Sequence, residues 1–517
     1  MKLGLYATFA VASVVLILKS DTTGPADDAL KRALYGFTLA LAALAMFHAN
    51  SQFLCRRNSR VILVLGGMLV HLAFCGLIMK LAHADDTLEV FHYLLVPFAL
   101  APMLHSILLG RAVGTFSAIY VSLIGSLLVP ASDMLGFLTL SLVSGLAAVL
   151  LTVQVRKRGQ LLRAGIFIGI VTLILAIVWG RLDLCSCFGD DAVNHLEIFA
   201  LGSVAALGTA VFAALFVSGL LPIFEGLFQL TTDTSWLELS DLNHKLLRQM
   251  QLEAPGTFHH SLVVASLAEA AAEKIGANAL MCRVCSYFHD VGKLKKPVYF
   301  IENLHDGVEN PHDGLTPTMS ALVIIAHVKD GVDIAMKHKL NPRIINVIQE
   351  HHGDSLVYFF YRRAQEQKKT ELDKVERGLE NPEDLPHVDE KNFRYPGQRP
   401  STRESGIIAL ADMVESASRS LRKPTLAKIR AMIEELVRSK VNDGQLDECP
   451  LTIKELAIVK DSFAGTLRSM LHARIDYPKE EERPPAPNKR GDSTRTPFPE
   501  ADAATKGLLS SRTPSPA

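Results

Sequence analysis

Long apolar stretches crowd the first 225 residues of this 517-residue chain and constrain its fold more than any other feature. Several approach the ~20 residues that a helix needs to cross a bilayer. Charged residues dominate after residue 226, so the sequence predicts a membrane half followed by a half in water. We count eight apolar stretches, at 3–19, 33–54, 61–82, 92–110, 113–131, 134–154, 164–182 and 196–225.

The first stretch could be a cleaved signal sequence or a retained span. Lys2 precedes it, and no convincing small-residue cleavage site follows before Lys19. This pattern indicates an uncleaved signal anchor. We therefore predict a membrane domain at 1–225 with about eight transmembrane helices.

The charges between the apolar stretches predict the orientation of the membrane domain, because lysine and arginine collect in cytoplasmic loops. Basic residues follow the second, fourth and sixth stretches, and acidic residues occupy the alternate loops. We therefore expect a multi-pass protein of the inner (cytoplasmic) membrane, with both termini and the second half in the cytoplasm. The basic residues are Arg56, Arg57, Arg60, Arg111, Arg156, Lys157, Arg158 and Arg163, and the acidic residues are Asp85, Asp86, Glu89, Asp133, Asp183, Asp190 and Asp191.

The second half is predicted to be all-helical, which makes the whole chain an all-α protein. Its apolar residues recur at helical spacing, and no alternating strand pattern occurs. We predict a connector at 226–252 and a helical domain at 253–477. Within this domain residues 362–400 are highly charged, so we expect them to form a surface excursion. Residues 478–517 are rich in proline, serine and charge and predict a disordered tail, because they hold too little apolar surface to offset ordering entropy.

A histidine and an aspartate stand side by side at His289-Asp290, just before a glycine. Neighbouring residues on a helix point about 100° apart, so such a pair can serve two adjacent metal ions. Further imidazoles and carboxylates recur inside apolar helical segments, where unpaired polar groups are costly. These groups suit iron and manganese as well as zinc. The further candidates are His260, His327, His351, His352 and Asp412.

The spacing of these candidates excludes a metal site formed by one short segment of the chain. A zinc finger would show short paired spacings, often with cysteine, whereas this series requires a helical bundle to bring distant positions around one pocket. The formal net charge of the chain is zero, which offers no electrostatic case for binding DNA or RNA.

An ordered set of motifs surrounds these candidates. Because of these motifs, the chain resembles the seven-transmembrane HD-domain phosphohydrolases of bacteria, membrane proteins whose cytosolic HD domain hydrolyses cyclic di-AMP. The resemblance covers the HD domain and most of the membrane half. A bare His-Asp pair is weak evidence, whereas the ordered set is strong. The motifs are Glu253-Ala-Pro-Gly-Thr-Phe-His-His-Ser261, His289-Asp-Val-Gly-Lys293, Phe300-Ile-Glu-Asn303, Asn310-Pro-His-Asp313, His327-Val-Lys-Asp-Gly331, Glu350-His-His-Gly353, Phe393-Arg-Tyr-Pro-Gly397 and Ala411-Asp412.

The resemblance implies two divalent transition-metal ions, manganese or iron, with Asp290 as the bridge between them. Two cations that share a carboxylate can acidify a water and neutralise phosphodiester oxygens. The implied ligands of the first cation are His260, His289, Asp290 and Asp412, and those of the second are Asp290, His327 and His351.

Two further residues are implied as catalytic and substrate-binding beside Asp290, and each keeps an alternative. His352 adjoins a ligand and contacts a substrate phosphate, or it is an auxiliary metal ligand. Lys293 follows a glycine that permits close approach and contacts phosphate, or it is a solvated loop lysine.

The implied function is hydrolysis of cyclic di-AMP to linear pApA. An HD phosphohydrolase of another nucleotide, cyclic di-GMP or a nucleoside polyphosphate, and an inactive membrane receptor or scaffold are the alternatives; the intact ligand set argues against the last. Family members typically carry a large extracytoplasmic receptor domain after the first span, where this chain has only the short loop 20–32. We expect catalysis to survive this difference. The expected partners are the cyclic dinucleotide, the lipid bilayer, and a second copy of the chain or another membrane protein.

Overall fold

The computed structural model describes residues 2–20, 26–55, 57–84, 91–153, 155, 158–183, 192–304, 307–377, 387–421 and 425–472. Over these residues the chain forms helices and no β-strand, apart from one isolated bridge between Leu356 and Arg394. The predicted all-α fold class is confirmed. Contacts group Met1–Arg468 into one unit and Ser469–Ala517 into a second, of which residues 469–472 are described. The tail predicted at 478–517 lies outside the described residues.

The membrane half consists of nine described helices. Seven segments are long and apolar enough to cross a bilayer: Lys2–Lys19, Ala29–Asn50, Asn58–Leu81, Arg111–Leu128, Met134–Leu151, Gly159–Val178 and His195–Phe228. Their outward faces expose large apolar side chains such as Val70, Val178 and Val204, as lipid contact requires. The bounds are α1 Lys2–Lys19, α2 Ala26–Asn50, α3 Gln52–Cys55, α4 Asn58–His83, α5 Leu100–Leu109, α6 Arg111–Gly125, α7 Met134–Leu151, α8 Arg158–Val178 and α9 Ala192–Phe228.

About eight transmembrane helices are predicted, and the described residues form seven long apolar segments; the difference falls at the fourth apolar stretch. Residues 91–99 form turns, and only α5 follows, a ten-residue helix of about 15 Å against a hydrocarbon core of about 30 Å. Pro97 explains the break, since it lacks a backbone N–H and disfavours helical backbone at Val96. The irregular segment is buried among the other helices, where non-helical backbone is tolerated at membrane depth.

Two membrane histidines serve as hydrogen-bonding partners between helices. The Ala101 N–H donates to His71 Nδ1 over 3.1 Å, and His105 Nε2 lies 3.1 Å from the Leu63 carbonyl oxygen. Both side chains are buried, and both bonds join α4 to α5 at the interrupted stretch. The two histidines therefore contribute to packing between helices of the membrane half.

The second half is a bundle of ten described helices joined by short 3-10 segments. Its helices are α10 Asp233–Leu239, α11 Lys245–Glu253, α12 Pro255–Ile275, α13 Ala279–Phe288, α14 Pro317–Lys337, α15 Pro342–Glu350, α16 Tyr358–Glu376, α17 Arg403–Ser418, α18 Leu426–Asn442 and α19 Ile453–His472. The 3-10 segments are Val291–Lys295, Pro297–Tyr299, Ile301–Asn303, Pro311–Gly314 and Glu390–Phe393.

A tight turn at 276–278 joins α12 and α13. Gly276 ends α12 with φ +65°, a left-handed conformation that favours glycine, and the Asn278 side chain caps α13 by accepting from the Met281 N–H. The two helices pack against each other as an antiparallel pair. This turn fixes the start of α12 beside the end of α13.

The charged excursion at 362–400 lies only partly on the surface. Most of α16 is exposed, as predicted, and residues 378–386 lie outside the described part of the chain. The last part returns to the bundle, because Phe393 and Tyr395 are buried. The Tyr395 N–H donates to the Ser355 carbonyl oxygen over 3.0 Å, which ties this return to the turn after α15.

Candidate metal centre

Five helices bring the predicted ligands together at one point in the bundle. His260 lies in the second turn of α12, His327 in the middle of α14, and Asp412 in α17. His289 and Asp290 follow the end of α13, and His351 follows the end of α15. All six residues are buried, with at most 7% of any one exposed.

The candidate ligand atoms fall into two groups that share Asp290. Within each group all ligand atoms lie within 4.8 Å of one another. The first group is His260, His289, Asp290 and Asp412, and the second is Asp290, His327, His351 and His352. The structure thus assembles the predicted set from positions more than 150 residues apart.

Each oxygen of the Asp290 carboxylate faces a different group. Oδ2 lies 3.4 Å from His260 Nε2 and 3.2 Å from His289 Nε2. Oδ1 lies 3.4 Å from His327 Nε2 and 3.7 Å from His351 Nε2. A carboxylate placed in this way can contribute one oxygen to each of two cations.

Helix ends explain how neighbouring residues can both face the centre. The helix α15 ends at Glu350, and the chain turns over residues 351–354. His352 therefore also reaches the site: its Nδ1 lies 3.7 Å from Asp412 Oδ2, and its ring stacks on Tyr395 with centroids 4.4 Å apart. Its side chain remains 22% exposed, which leaves it accessible beside the buried ligands.

The donor set fits divalent transition-metal ions. Among the described residues, His260 Nε2, His289 Nε2 and Asp290 Oδ1 are fully buried and have no hydrogen-bond partner. Leaving buried polar atoms unpaired costs free energy, so their convergence requires a ligand. Imidazole nitrogens with carboxylate oxygens are donors that manganese, iron and zinc accept.

The electrostatics of the centre keep its carboxylates ionised. Burial raises the pKa of Asp290, but the charges of His289 and Lys293 outweigh burial and hold that pKa well below its usual range. Burial also raises the pKa of Asp412, but the nearby imidazoles of His260 and His289 outweigh burial and hold that pKa well below its usual range. Ionised carboxylates are the form that binds cations.

His327 of the second group and His289 of the first differ in protonation. Burial lowers the pKa of His327 to about 4, which keeps its ring neutral. Burial also opposes protonation of His289, but the charge of Asp290 outweighs it and raises its pKa to about 9. A cation entering the first group therefore competes with a proton for His289.

Lys293 is held by carboxylates and is not a solvated loop lysine. Its Nζ lies 2.8 Å from Asp290 Oδ2 and 2.8 Å from Glu302 Oε1, and it sits over the Phe300 ring at 5.0 Å. Burial lowers the pKa of Lys293, but Asp290 and Glu302 outweigh burial and raise it, so the ammonium stays charged.

The glycine before Lys293 serves close packing of backbones. A Cβ placed at Gly292 would lie 1.8 Å from the His327 carbonyl oxygen and 2.5 Å from the Gly331 nitrogen. The predicted close approach is therefore made to α14. It brings the segment that carries Asp290 and Lys293 against the helix that carries His327.

Sequence reasoning left out three residues of the site. Glu302 pairs with Lys293, Tyr395 stacks on His352, and Glu415 bonds to His260. Glu302 and Tyr395 lie inside motifs that carry the family resemblance, which could have identified them. Glu415 follows Asp412 by three residues on α17, and this spacing places both on one helix face.

The bundle and its paired ligand groups define a class: a multi-span membrane protein with an HD-type metal-binding domain. Residues 28–232 match the family model described as "7TM receptor with intracellular HD hydrolase", and residues 257–417 match the model of the HD domain. The chain belongs to the seven-transmembrane HD-domain family.

The sequences of two relatives match most of this chain. Cyclic-di-AMP phosphodiesterase PgpH of Listeria monocytogenes serotype 1/2a is 33% identical over 452 residues, which are 86% of this chain and 58% of that protein. Cyclic-di-AMP phosphodiesterase PgpH of Bacillus subtilis is 34% identical over 392 residues, 74% of this chain and 51% of that protein. The chain thus spans between half and three fifths of the length of these relatives.

A solved structure is also similar. The crystal structure of the L. monocytogenes PgpH HD domain in complex with cyclic-di-AMP is 42% identical, with a TM-score of 0.40, and the match covers 44% of this chain and 99% of that one.

Proposed function

We propose that this chain is a membrane-anchored, metal-dependent phosphodiesterase that hydrolyses cyclic di-AMP to linear pApA. The observation that carries the proposal is the Asp290 carboxylate, whose two oxygens face two separate groups of imidazoles. The names of the Listeria and Bacillus relatives support the choice of substrate.

The residues present fit two manganese or iron ions. His260, His289, Asp290 and Asp412 would hold the first ion, and Asp290, His327 and His351 the second. When bound, the ions would supply positive charge for the phosphodiester oxygens and lower the pKa of an attacking water. The burial of the ligands excludes bulk solvent from the reacting atoms, which strengthens every electrostatic interaction there.

We assign the substrate-binding role to His352 and Lys293, beside the bridging Asp290. His352 is the partly exposed imidazole at the edge of the centre and can donate to a phosphate oxygen. Lys293 is charged and lies 2.8 Å from the bridging carboxylate, so its ammonium orients Asp290 and adds positive charge where the phosphate would sit. Its bond to Glu302 holds it in this place.

We place the enzyme in the inner membrane with its HD domain in the cytoplasm. The basic loops after the second, fourth and sixth apolar stretches support this orientation. A cytoplasmic domain would meet a cyclic dinucleotide second messenger directly. The neutral charge of the chain supports a small nucleotide over DNA or RNA as substrate.

Product analysis tests the proposal. Full-length protein in lipid nanodiscs, loaded with Mn²⁺, is given cyclic di-AMP, cyclic di-GMP, a nucleoside triphosphate or a short RNA, and the products are separated by chromatography. We expect pApA from cyclic di-AMP at a rate well above that of every other substrate. Preference for another nucleotide, or no turnover with both cations bound, would contradict the proposal.

A further inference from the structure

The four buried ligand histidines are not anchored in the same way. Three of them bond through Nδ1 to the backbone carbonyl three residues earlier, which turns Nε2 toward the centre: His289 to Ser286 at 2.7 Å, His327 to Ile324 at 2.6 Å and His351 to Ile348 at 2.8 Å. His260 differs, because its Nδ1 meets a side-chain carboxylate oxygen, Oε2 of Glu415.

Glu415 is placed to hold this bond. It is buried, with 4% of the residue exposed, and lies on α17, which packs against the α12 helix that carries His260. Its other oxygen, Oε1, accepts from Arg419 Nε over 2.9 Å. Burial opposes ionisation of Glu415, but its bonds to His260 and Arg419 outweigh burial and lower its pKa.

The same helix thus supplies a ligand and the group that orients another ligand. Asp412 and Glu415 lie three residues apart on α17; Asp412 Oδ1 lies 3.0 Å from His260 Nε2, while Glu415 meets the opposite side of the same ring. The His260 ring therefore lies between two carboxylates of one helix. A proton on Nδ1 shared with Glu415 leaves Nε2 as the lone-pair nitrogen that faces the centre.

We propose that Glu415 is a positioning residue that fixes the tautomer and orientation of His260 and strengthens the first cation site relative to the second. A carboxylate behind a ligand imidazole raises its basicity more than a backbone carbonyl does. The second site has only carbonyl anchors behind His327 and His351, so the two sites become unequal in affinity. This inference rests on the proposed two-cation centre.

Metal titration of full-length protein in nanodiscs tests this role. Metal-free protein is titrated with Mn²⁺, and the free ion and the spin coupling between bound ions are followed by electron paramagnetic resonance. We compare Glu415→Ala, which removes the bond, with Glu415→Gln, which keeps an acceptor oxygen but loses the charge. Glu404→Gln is the matched control, since it lies on the same helix and its carboxylate accepts from the Asn278 N–H away from the centre.

We expect Glu415→Ala to bind one of its two cations about 10- to 100-fold more weakly, with loss of the coupled signal at limiting Mn²⁺. The cation affinity of Glu415→Gln should lie between those of Glu415→Ala and the wild type. The affinity of Glu404→Gln should equal that of the wild type. The His351→Ala change removes a ligand of the second site, so that only the first site binds a cation. In this background, Glu415→Ala should weaken cation binding at the first site to the same degree.

Wild-type affinities in Glu415→Ala would overturn the proposal. Equal weakening of both sites, with a lower unfolding temperature of the metal-free protein, would overturn it in favour of a structural role. If Glu415→Ala does not fold, Glu415→Gln decides, because weakening of one site supports the proposal and unchanged affinity refutes it. Neither readout uses a nucleotide, so failure of the proposed substrate would leave this result intact.

Discussion

The side chain of His352 separates two uses of a histidine at a metal centre. It follows a ligand directly, and the end of α15 lets both residues face the centre. Its ring lies within the second ligand group, yet it stacks on Tyr395 and stays 22% exposed, unlike the buried ligands. Stacking and exposure favour contact with substrate over metal ligation.

We predict that His352→Ala lowers turnover about 10- to 100-fold and keeps both cations, because it removes a donor to the phosphate without removing a required ligand. Steady-state kinetics and elemental analysis of the purified protein measure the two effects. Loss of one cation would show that His352 is an auxiliary ligand. His387→Ala, at an exposed histidine that belongs to neither ligand group, provides the comparison.

The residues of the centre differ in how well sequence predicts them. Buried imidazoles and ionised carboxylates in apolar helices are costly, so the sequence alone marks His260, His327 and Asp412 as candidates. Glu415 is an acidic residue on a helix, a placement that is common on solvated faces. Only the packing of α17 on α12 reveals its partner.

Among the elements, the 3-10 segment Val291–Lys295 packs closely against α14. The close approach of Gly292 to the His327 carbonyl oxygen leaves no room for a side chain. We predict that Gly292→Ala destabilises the protein by about 1–3 kcal/mol or more and lowers cation binding, because the two ligand-bearing segments must separate. Thermal unfolding with and without Mn²⁺ measures both effects.

The matched control for this variant is Gly314→Ala. A Cβ at Gly314 meets nothing within 4 Å, so its effect should stay within about 0.5 kcal/mol. Equal stability of the two variants would contradict the packing account of Gly292.

A hydrogen bond joins the connector to the helix that precedes His351. Asn341 caps α15 by accepting from the Arg343 N–H over 2.9 Å, and its amide donates to Thr231 Oγ1, just after α9, over 2.8 Å. A shift of the last membrane helix could therefore be transmitted to the helix that precedes His351.

We predict that Thr231→Val changes the turnover of the full-length protein in lipid, because it removes the acceptor and keeps the shape of the side chain. Thr370→Val, on the exposed face of α16, should leave turnover unchanged. Kinetics in nanodiscs of several lipid compositions measure this coupling. Identical turnover of both variants and the wild type would favour a membrane half that acts as a plain anchor.

The whole molecule joins a membrane bundle to a helical HD-type domain. The hydrophobic pattern of the sequence predicts this broad architecture. The pattern failed at residues 92–110, because an apolar run that is buried in protein does not have to be a continuous helix. Composition alone cannot separate such a segment from a full span. The backbone restriction at Pro97 is the local signal that argues for the break.

The interrupted segment decides the topology. With seven full spans and α5, both termini lie on one side only if residues 91–109 complete an eighth crossing. We predict that reporters fused before Lys2 and after Pro478 both report the cytoplasm, and that one inserted within 184–192 reports the outside. Residues 184–191 lie outside the described part of the chain. Termini on opposite sides would show that this segment does not cross.

The most direct measurement of the central claim is the cation content and turnover of Asp290→Asn in the full-length protein. This change keeps the size of the side chain and removes the anionic bridge. We predict that bound Mn²⁺ falls from two per chain and that turnover of cyclic di-AMP drops by more than about 100-fold, while helical content persists. The exposed Asp461→Asn should match the wild type. Two bound cations with near-wild-type turnover in Asp290→Asn would contradict the dinuclear centre.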